Sequence, residues 1–154
     1  MTLLRFALDP ASDPRVLALL QAHLDDMYRI SPPESVHALD VEQLRQPDIR
    51  FWTAWSGEAL VGSCALKQLD SDHLELKSMR VDAAHRGTGA AQQLLDFVLV
   101  QAQQGGGQRI SLETGTEDFF APARRLYARN GFLPCEPFGS YQPDPNSCFM
   151  SRAV

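Results

Sequence analysis

Between His73 and Leu95 the chain reads His-Leu-Glu-Leu-Lys-Ser-Met-Arg-Val-Asp-Ala-Ala-His-Arg-Gly-Thr-Gly-Ala-Ala-Gln-Gln-Leu-Leu. Few folds accommodate it. The pattern predicts a strand, a short loop holding Arg86-Gly87-Thr88-Gly89, and then a helix. In the strand, apolar residues sit first at even positions, Leu74 and Leu76, and then at odd ones, Met79 and Val81. Strand side chains alternate faces with a period of two, so this change of phase requires an extra residue, a β-bulge, near Lys77–Ser78. A regular strand would bury Lys77 with Met79 and Val81, or expose those two, and an unpaired buried ammonium is costly. The bulge leaves backbone groups around Met79–Val81 without ladder partners and splays the strand from its neighbour. Glycine N–H groups at a helix N-terminus make a site for phosphate. A cofactor with a diphosphate at one end and amides along its arm fits the resulting gap.

Other readings of the glycine loop fare worse. A dinucleotide-binding fingerprint accounts for Gly87 and Gly89, and Glu113 lies at a suitable distance downstream. Its third position is Gln92, however, too large for close helix–strand packing, and the loop starts some five residues after the strand. A Walker-type loop lacks its Gly-Lys-Ser/Thr. A glycine turn without ligand leaves the phase change unexplained.

The remaining elements follow from periodicity and punctuation. Thr2–Leu8 predicts a first strand. Ser12-Asp13-Pro14 gives an N-cap and a proline at the first helical position, and Leu17, Leu20, Leu24 and Met27 keep a helical face over 14–28. Prolines break residues 29–39, and Val41–Gln46 predicts a short helix. Ile49–Ser56 and Ala59–Leu69 read as a hairpin around Ser56-Gly57-Glu58, followed by the strand at 73–82. A helix over Thr88–Gln104 stops at Gly105-Gly106-Gly107. Arg109–Thr114 is a strand, Ala123, Leu126, Tyr127 and Asn130 share a helix face ended by Gly131, and Phe132–Glu136 and Ser147–Arg152 form a last strand pair. One domain over residues 1–154 is expected, with order βααβββαβαββ.

A formal net charge of −5 argues against non-specific nucleic-acid binding. Cys64, Cys135 and Cys148 show no metal or disulfide spacing and read as buried reduced thiols of a cytoplasmic protein. No metal ligand set is evident, no apolar run is long enough to span a bilayer, and no signal peptide is apparent.

The loop and strand resemble those of the GNAT superfamily of N-acetyltransferases. Its signature Arg/Gln-x-x-Gly-x-Gly/Ala is met by Arg86, Gly89 and Ala91, the strand by Glu75–Val81, and a later motif by Leu126-Tyr127-x-x-x-Gly131-Phe132. The resemblance implies a mixed, mainly antiparallel, bulged and splayed α/β sheet with helices on both faces. It also implies acetyl-CoA as co-substrate, held by Met79, Arg80 and Val81 along its arm and by Arg86, Gly87, Thr88, Gly89, Ala90 and Ala91 at its diphosphate. Glu75 takes the place of a general base and Tyr127 that of a general acid for the leaving thiolate. A solvated Glu75 paired with Lys67 or Lys77, and a Tyr127 that only packs, are the alternatives. Many family members place an Asn after the fifth strand, where Thr114-Gly115-Thr116 stands here. The acceptor pocket is expected from Tyr28–Leu39, with Tyr28, Ser31 and His37, from the bulged strand, and from Phe138–Tyr141, with Tyr141.

The expectation is therefore direct transfer of an acetyl group from acetyl-CoA to a primary amine of a small molecule, without metal, nucleic acid or membrane. Protein N-termini or lysines as acceptors, and a non-catalytic acyl-CoA-binding module, are the alternatives. The oligomeric state, a homodimer included, is left open.

Overall fold

The computed structural model describes residues 3–154. Strand β1 (Arg5–Leu8) leads through Ala11 to helix α1 (Pro14–Ile30), with Asp13 as N-cap accepting from the Arg15 N–H and Pro14 at N1. A single 3₁₀ turn at Pro33–Ser35 precedes α2 (Val41–Leu44), which opens on a capping box between Asp40 and Gln43. Strands β2 (Ile49–Ser56), β3 (Ala59–Gln68) and β4 (His73–Val81) form a meander, and a 3₁₀ turn at Ala83–His85 leads to α3 (Ala90–Gln104). Strand β5 (Arg109–Gly115), α4 (Ala121–Arg129), β6 (Leu133–Pro134) and β7 (Ser147–Ala153) complete the order expected from the sequence.

The differences lie at element ends. Helix α3 starts at Ala90 because Gly89 is left-handed, at φ +85°. β6 is only two residues long; Pro134 lacks a ladder N–H, which confines it to a sheet edge. Thr2 lies outside the described residues.

Among the described residues seven strands join one sheet in the order β1-β2-β3-β4-β5-β7-β6. Every neighbouring pair is antiparallel except β4 and β5. Helices cover both faces. On one, Leu94, Leu95, Val98 and Ala102 of α3 and Leu126 and Tyr127 of α4 pack on Cys64, Leu66, Leu74, Leu76, Ile110 and Leu112. On the other, Val16 and Leu20 of α1 and Leu44 of α2 pack on Phe51, Trp55 and Ala65. With two covered faces, the middle of β2 and β3 is buried residue after residue rather than alternately. Among the described residues no helix is long and apolar enough to cross a membrane. Their thiols are all free, and they differ: Cys64 is buried, Cys148 half-buried and Cys135 exposed, so the expectation of three buried thiols holds for Cys64 alone.

Candidate active site

The bulge stands where the change of phase requires it. β4 pairs with β3 as Leu76↔Leu66 and Lys77↔Ala65, then as Arg80↔Ser63 and Val81↔Gly62. Ser78 and Met79 thus share the space opposite Cys64, and Ser78 takes φ +52°. The Ser63 hydroxyl donates to the Ser78 carbonyl at 2.9 Å, holding the kink from the neighbouring strand. Beyond the bulge the strands close again so tightly that a Cβ on Gly62 would stand 2.4 Å from the Arg80 carbonyl oxygen. Met79 and Val81 return to the α3 face alongside Leu74 and Leu76.

On its other side β4 parts from its neighbour. Pairing with β5 runs from His73↔Arg109 to Leu76↔Leu112 and stops. Lys77 and Glu113 are the first residues past the last rung, at the apex of the opening. A cavity of about 650 Å³ fills it, reaching from the loop at Arg86–Ala91 past Met79–Val81 to Glu75, Lys77, Glu113 and Tyr141.

At one end of the cavity, Asp82 caps the turn at Ala83–His85, and the Thr88 hydroxyl donates to the His85 carbonyl at 2.5 Å. Gly87 and Gly89 both have positive φ, +76° and +85°, a conformation that costs side-chain-bearing residues energy. Where a Cβ on Gly87 would stand, nothing lies within 4 Å. No side chain caps α3, so the N–H groups of its first turn are left to another acceptor.

At the other end the charged groups gather. Glu75 is 3% exposed. Its Oε2 accepts from the Tyr141 hydroxyl at 2.5 Å and from Lys77 Nζ at 3.2 Å, and Lys77 also donates to the Tyr141 oxygen at 2.8 Å. Burial and the Glu75 carboxylate drive the Tyr141 phenol far above its ordinary range. His37 meets the Tyr141 ring edge-on at 4.9 Å, and burial, with Lys77, lowers its imidazole. Burial pushes the Glu113 carboxyl up to about 7; Glu75 and Asp144 add to this, while Ser147 and Lys77 oppose it. Tyr127 also lines the cavity, 7% exposed, its phenol raised by burial and so held protonated. His23, on the α1 wall, is lowered to about 4 by burial and by Arg80, and stays neutral.

The model of the acetyltransferase (GNAT) family matches residues 16–132. The chain belongs to the GNAT family of acetyltransferases. It is 48% identical over 147 residues to the uncharacterized N-acetyltransferase YsnE of Bacillus subtilis (strain 168), covering 96% of this chain and 97% of that protein. Against the uncharacterized N-acetyltransferase YedL of Escherichia coli (strain K12) it is 47% identical, covering 95% and 92%. A Klebsiella pneumoniae structure assigned as an acyl-CoA N-acyltransferase superposes with a TM-score of 0.80 at 28% identity, covering 97% of both chains. A Bacillus subtilis acetyltransferase solved with CoA shares the fold, at a TM-score of 0.69 and 17% identity over 98% and 99%. The protein is an acyl-CoA-dependent GNAT acetyltransferase, and relatives of this fold bind CoA.

Most residues expected at a GNAT site line this one cavity: Glu75, Met79, Arg80, Val81, Arg86, Gly87, Gly89, Ala90, Ala91, Tyr127, Ser31, His37 and Tyr141. Two do not. Thr88 turns back onto its own loop, and Tyr28 is 58% exposed, on the face of α1 turned away from the sheet. Glu75 does pair with Lys77, as one reading allowed, but the pair is buried rather than solvated. Ser31 lines the cavity while donating to Glu117 at 3.2 Å, and Arg80 does so while paired with Asp26 at 2.8 Å. Glu113 was legible only as a nucleotide-binding candidate, and its place at the apex follows from the β4–β5 register. Of the Thr114-Gly115-Thr116 segment at the end of β5, Thr114 and Gly115 line the cavity, and a Cβ on Gly115 would meet the Phe120 ring at 2.2 Å.

Proposed function

We propose that this GNAT enzyme transfers the acetyl group of acetyl-CoA directly to a primary amine of a small molecule, both substrates bound at once. The observation that carries this reading is the continuity of the cavity: the glycine loop and the buried carboxylates open into the same space. Its volume, about 650 Å³, suits a small acceptor beside the arm of the co-substrate. Acetyl-CoA supplies an activated thioester. The open, glycine-built loop fits its diphosphate, with N–H groups of Gly87–Ala91 as donors and Arg86 and Arg129 at the rim. The strand edge at Met79–Val81, past the end of pairing with β5, offers hydrogen bonds to the arm amides and to the acetyl oxygen.

The acceptor amine arrives protonated if it resembles a lysine, at a pKa of about 10.4, and must lose a proton to react. The cavity offers two carboxylates for it, Glu75 and Glu113. Tyr127, held protonated by its burial, is the donor for the departing thiolate. No cysteine lines the cavity among the described residues, and burial pushes the Cys64 thiol up to about 12, so an acyl-cysteine stage has no nucleophile.

A small acceptor also agrees with the name of one relative, the IAA acetyltransferase of Azospirillum brasilense, 37% identical over 88% of this chain and 86% of that protein. The test is thiol release from acetyl-CoA across amino acids, polyamines, aminoglycosides, aryl amines and peptides. Release dependent on a small amine is the expected result. Release with peptides alone would move the acceptor to protein termini or lysines, and binding without release would leave an acyl-CoA-binding module.

A further inference from the structure

The two carboxylates of the cavity stand in different surroundings, and the difference assigns them different work. Glu75 is committed. Its Oε2 already holds the Tyr141 hydroxyl and the Lys77 ammonium, and a proton taken there would break a buried ion pair. Glu113 stands on β5, one residue beyond the last rung with β4, where the two strands part and the cavity begins. We infer that Glu113 is the catalytic base of the transfer, and that Glu75 is a positioning residue that fixes Lys77 and Tyr141 against the acceptor. This rests on the acetyl-transfer reading above, whatever amine is transferred to.

The surroundings of Glu113 suit the role. Glu75 and Lys77 face it from β4, Asp144 from the loop before β7, Ser147 from the first position of β7, and Tyr141 feels its charge from that same loop. The sum of burial and these charges lifts the carboxyl from the ordinary 4.5 to about 7. That raises its proton affinity by about 300-fold, and a base is most useful when its pKa lies near the working pH. Pairs of carboxyls whose environments push them apart are a recurrent way to divide acid–base labour in one site. In the step itself the amine lone pair forms the C–N bond and the C–S pair leaves on sulfur. An acceptor that arrives as ammonium loses two nitrogen protons. The first passes to the Glu113 carboxylate, which frees the lone pair, and the second passes, as the C–N bond forms, through Tyr127 or water to the departing thiolate. No oxidant, metal or further reactant enters.

The test uses the full-length protein, acetyl-CoA and the best acceptor of the panel, small amine or peptide, with kcat/KM measured from pH 5.5 to 9. Wild type should show an acidic limb near 7, provided the acceptor's own ionisation is subtracted. Glu113→Gln should lower kcat by roughly 10²-fold or more and erase that limb, with the affinity for acetyl-CoA unchanged. Glu75→Gln should raise the acceptor KM and keep the limb. If Glu113→Gln retains the limb and falls by less than about threefold, or if Glu75→Gln is the variant that loses the limb, the assignment is overturned.

A second readout does not need turnover. In protein labelled with ¹³C at the glutamate carboxyls, one resonance should titrate near 7 and vanish in Glu113→Gln. If no glutamate titrates between 6 and 8, the assignment fails even in an active enzyme. A wild type that releases thiol with no amine at all defeats the transfer reading instead, and shows it before any variant is made.

Discussion

The two halves of β4 make opposite use of the same strand. From His73 to Leu76 it is bonded to β3 on one side and β5 on the other, and Leu74 and Leu76 are 2% and 4% exposed. From Lys77 to Val81 it has lost β5, carries a bulge with a left-handed Ser78, and faces the cavity. The closed half ties the sheet together and turns Glu75 to the cavity, whereas the open half lines the cavity with a backbone edge that β5 no longer pairs. Pairing on both sides thus gives way to an open edge along a single strand, with the boundary at one residue, Lys77. Backbone strain of this kind persists only where the surrounding structure imposes it. Here the Ser63–Ser78 hydrogen bond and the close approach of Gly62 to the Arg80 carbonyl impose it.

The largest expected effect comes from making the open half resemble the closed one. Deleting Ser78 restores a regular period, so Met79 should pair with Cys64 while Arg80 and Val81 keep their rungs to Ser63 and Gly62. The kinked edge that Met79–Val81 turns to the cavity should then be lost. Acetyl-CoA binding, read by calorimetry, should weaken by about 10²-fold, the equivalent of two lost hydrogen bonds, with turnover lost alongside. A fold that persists by circular dichroism while binding fails would sharpen the comparison; unchanged affinity would break it.

The reverse experiment cuts into the closed half. Leu74→Ala removes a buried side chain that packs on the α3 face and should cost about 2–5 kcal/mol of stability by urea unfolding. The protein that remains folded should keep its acetyl-CoA affinity. A variant that loses binding without losing stability would contradict the division.

Glu113 links the two properties with a smaller effect. Its folded pKa, about 7, lies above the ordinary 4.5, so ionisation opposes folding. The penalty is absent below about 4.5, grows between 4.5 and 7, and is complete above 7, with an upper limit of about 3 kcal/mol. Glu113→Gln should therefore match wild type in stability near pH 4.5 and exceed it at pH 8. Thermal melts at the two pH values check the sign.

The element order and the bulge were legible because both rest on local pattern: a period of two with one break, proline and glycine at helix ends, an Asp N-cap. The glycine loop and its helix start were legible for the same reason, being contiguous. Long-range register was not. Nothing near Glu113 in the sequence says that β5 will run parallel to β4 for four rungs and then leave it, which is what puts the carboxylate at the apex. The burial of the Glu75–Lys77 pair under Tyr141 likewise joins residues 66 positions apart. Tyr28 was misplaced through helical phase: with Val16, Leu19 and Leu20 inward on α1, position 28 turns to solvent. The shortness of β6 follows from Pro134 at the sheet edge, a signal that the sequence did hold.

The central claim is that the co-substrate occupies the open half of β4 and the loop that follows it. Backbone amide spectra of the unmodified protein, recorded as CoA is added, test this without any substitution. The account predicts that the largest shifts fall at Met79–Val81 and Gly87–Ala91, with His73–Leu76 and Gly105–Gly107 nearly unmoved. Shifts concentrated at the closed half, or spread evenly over the sheet, would contradict it.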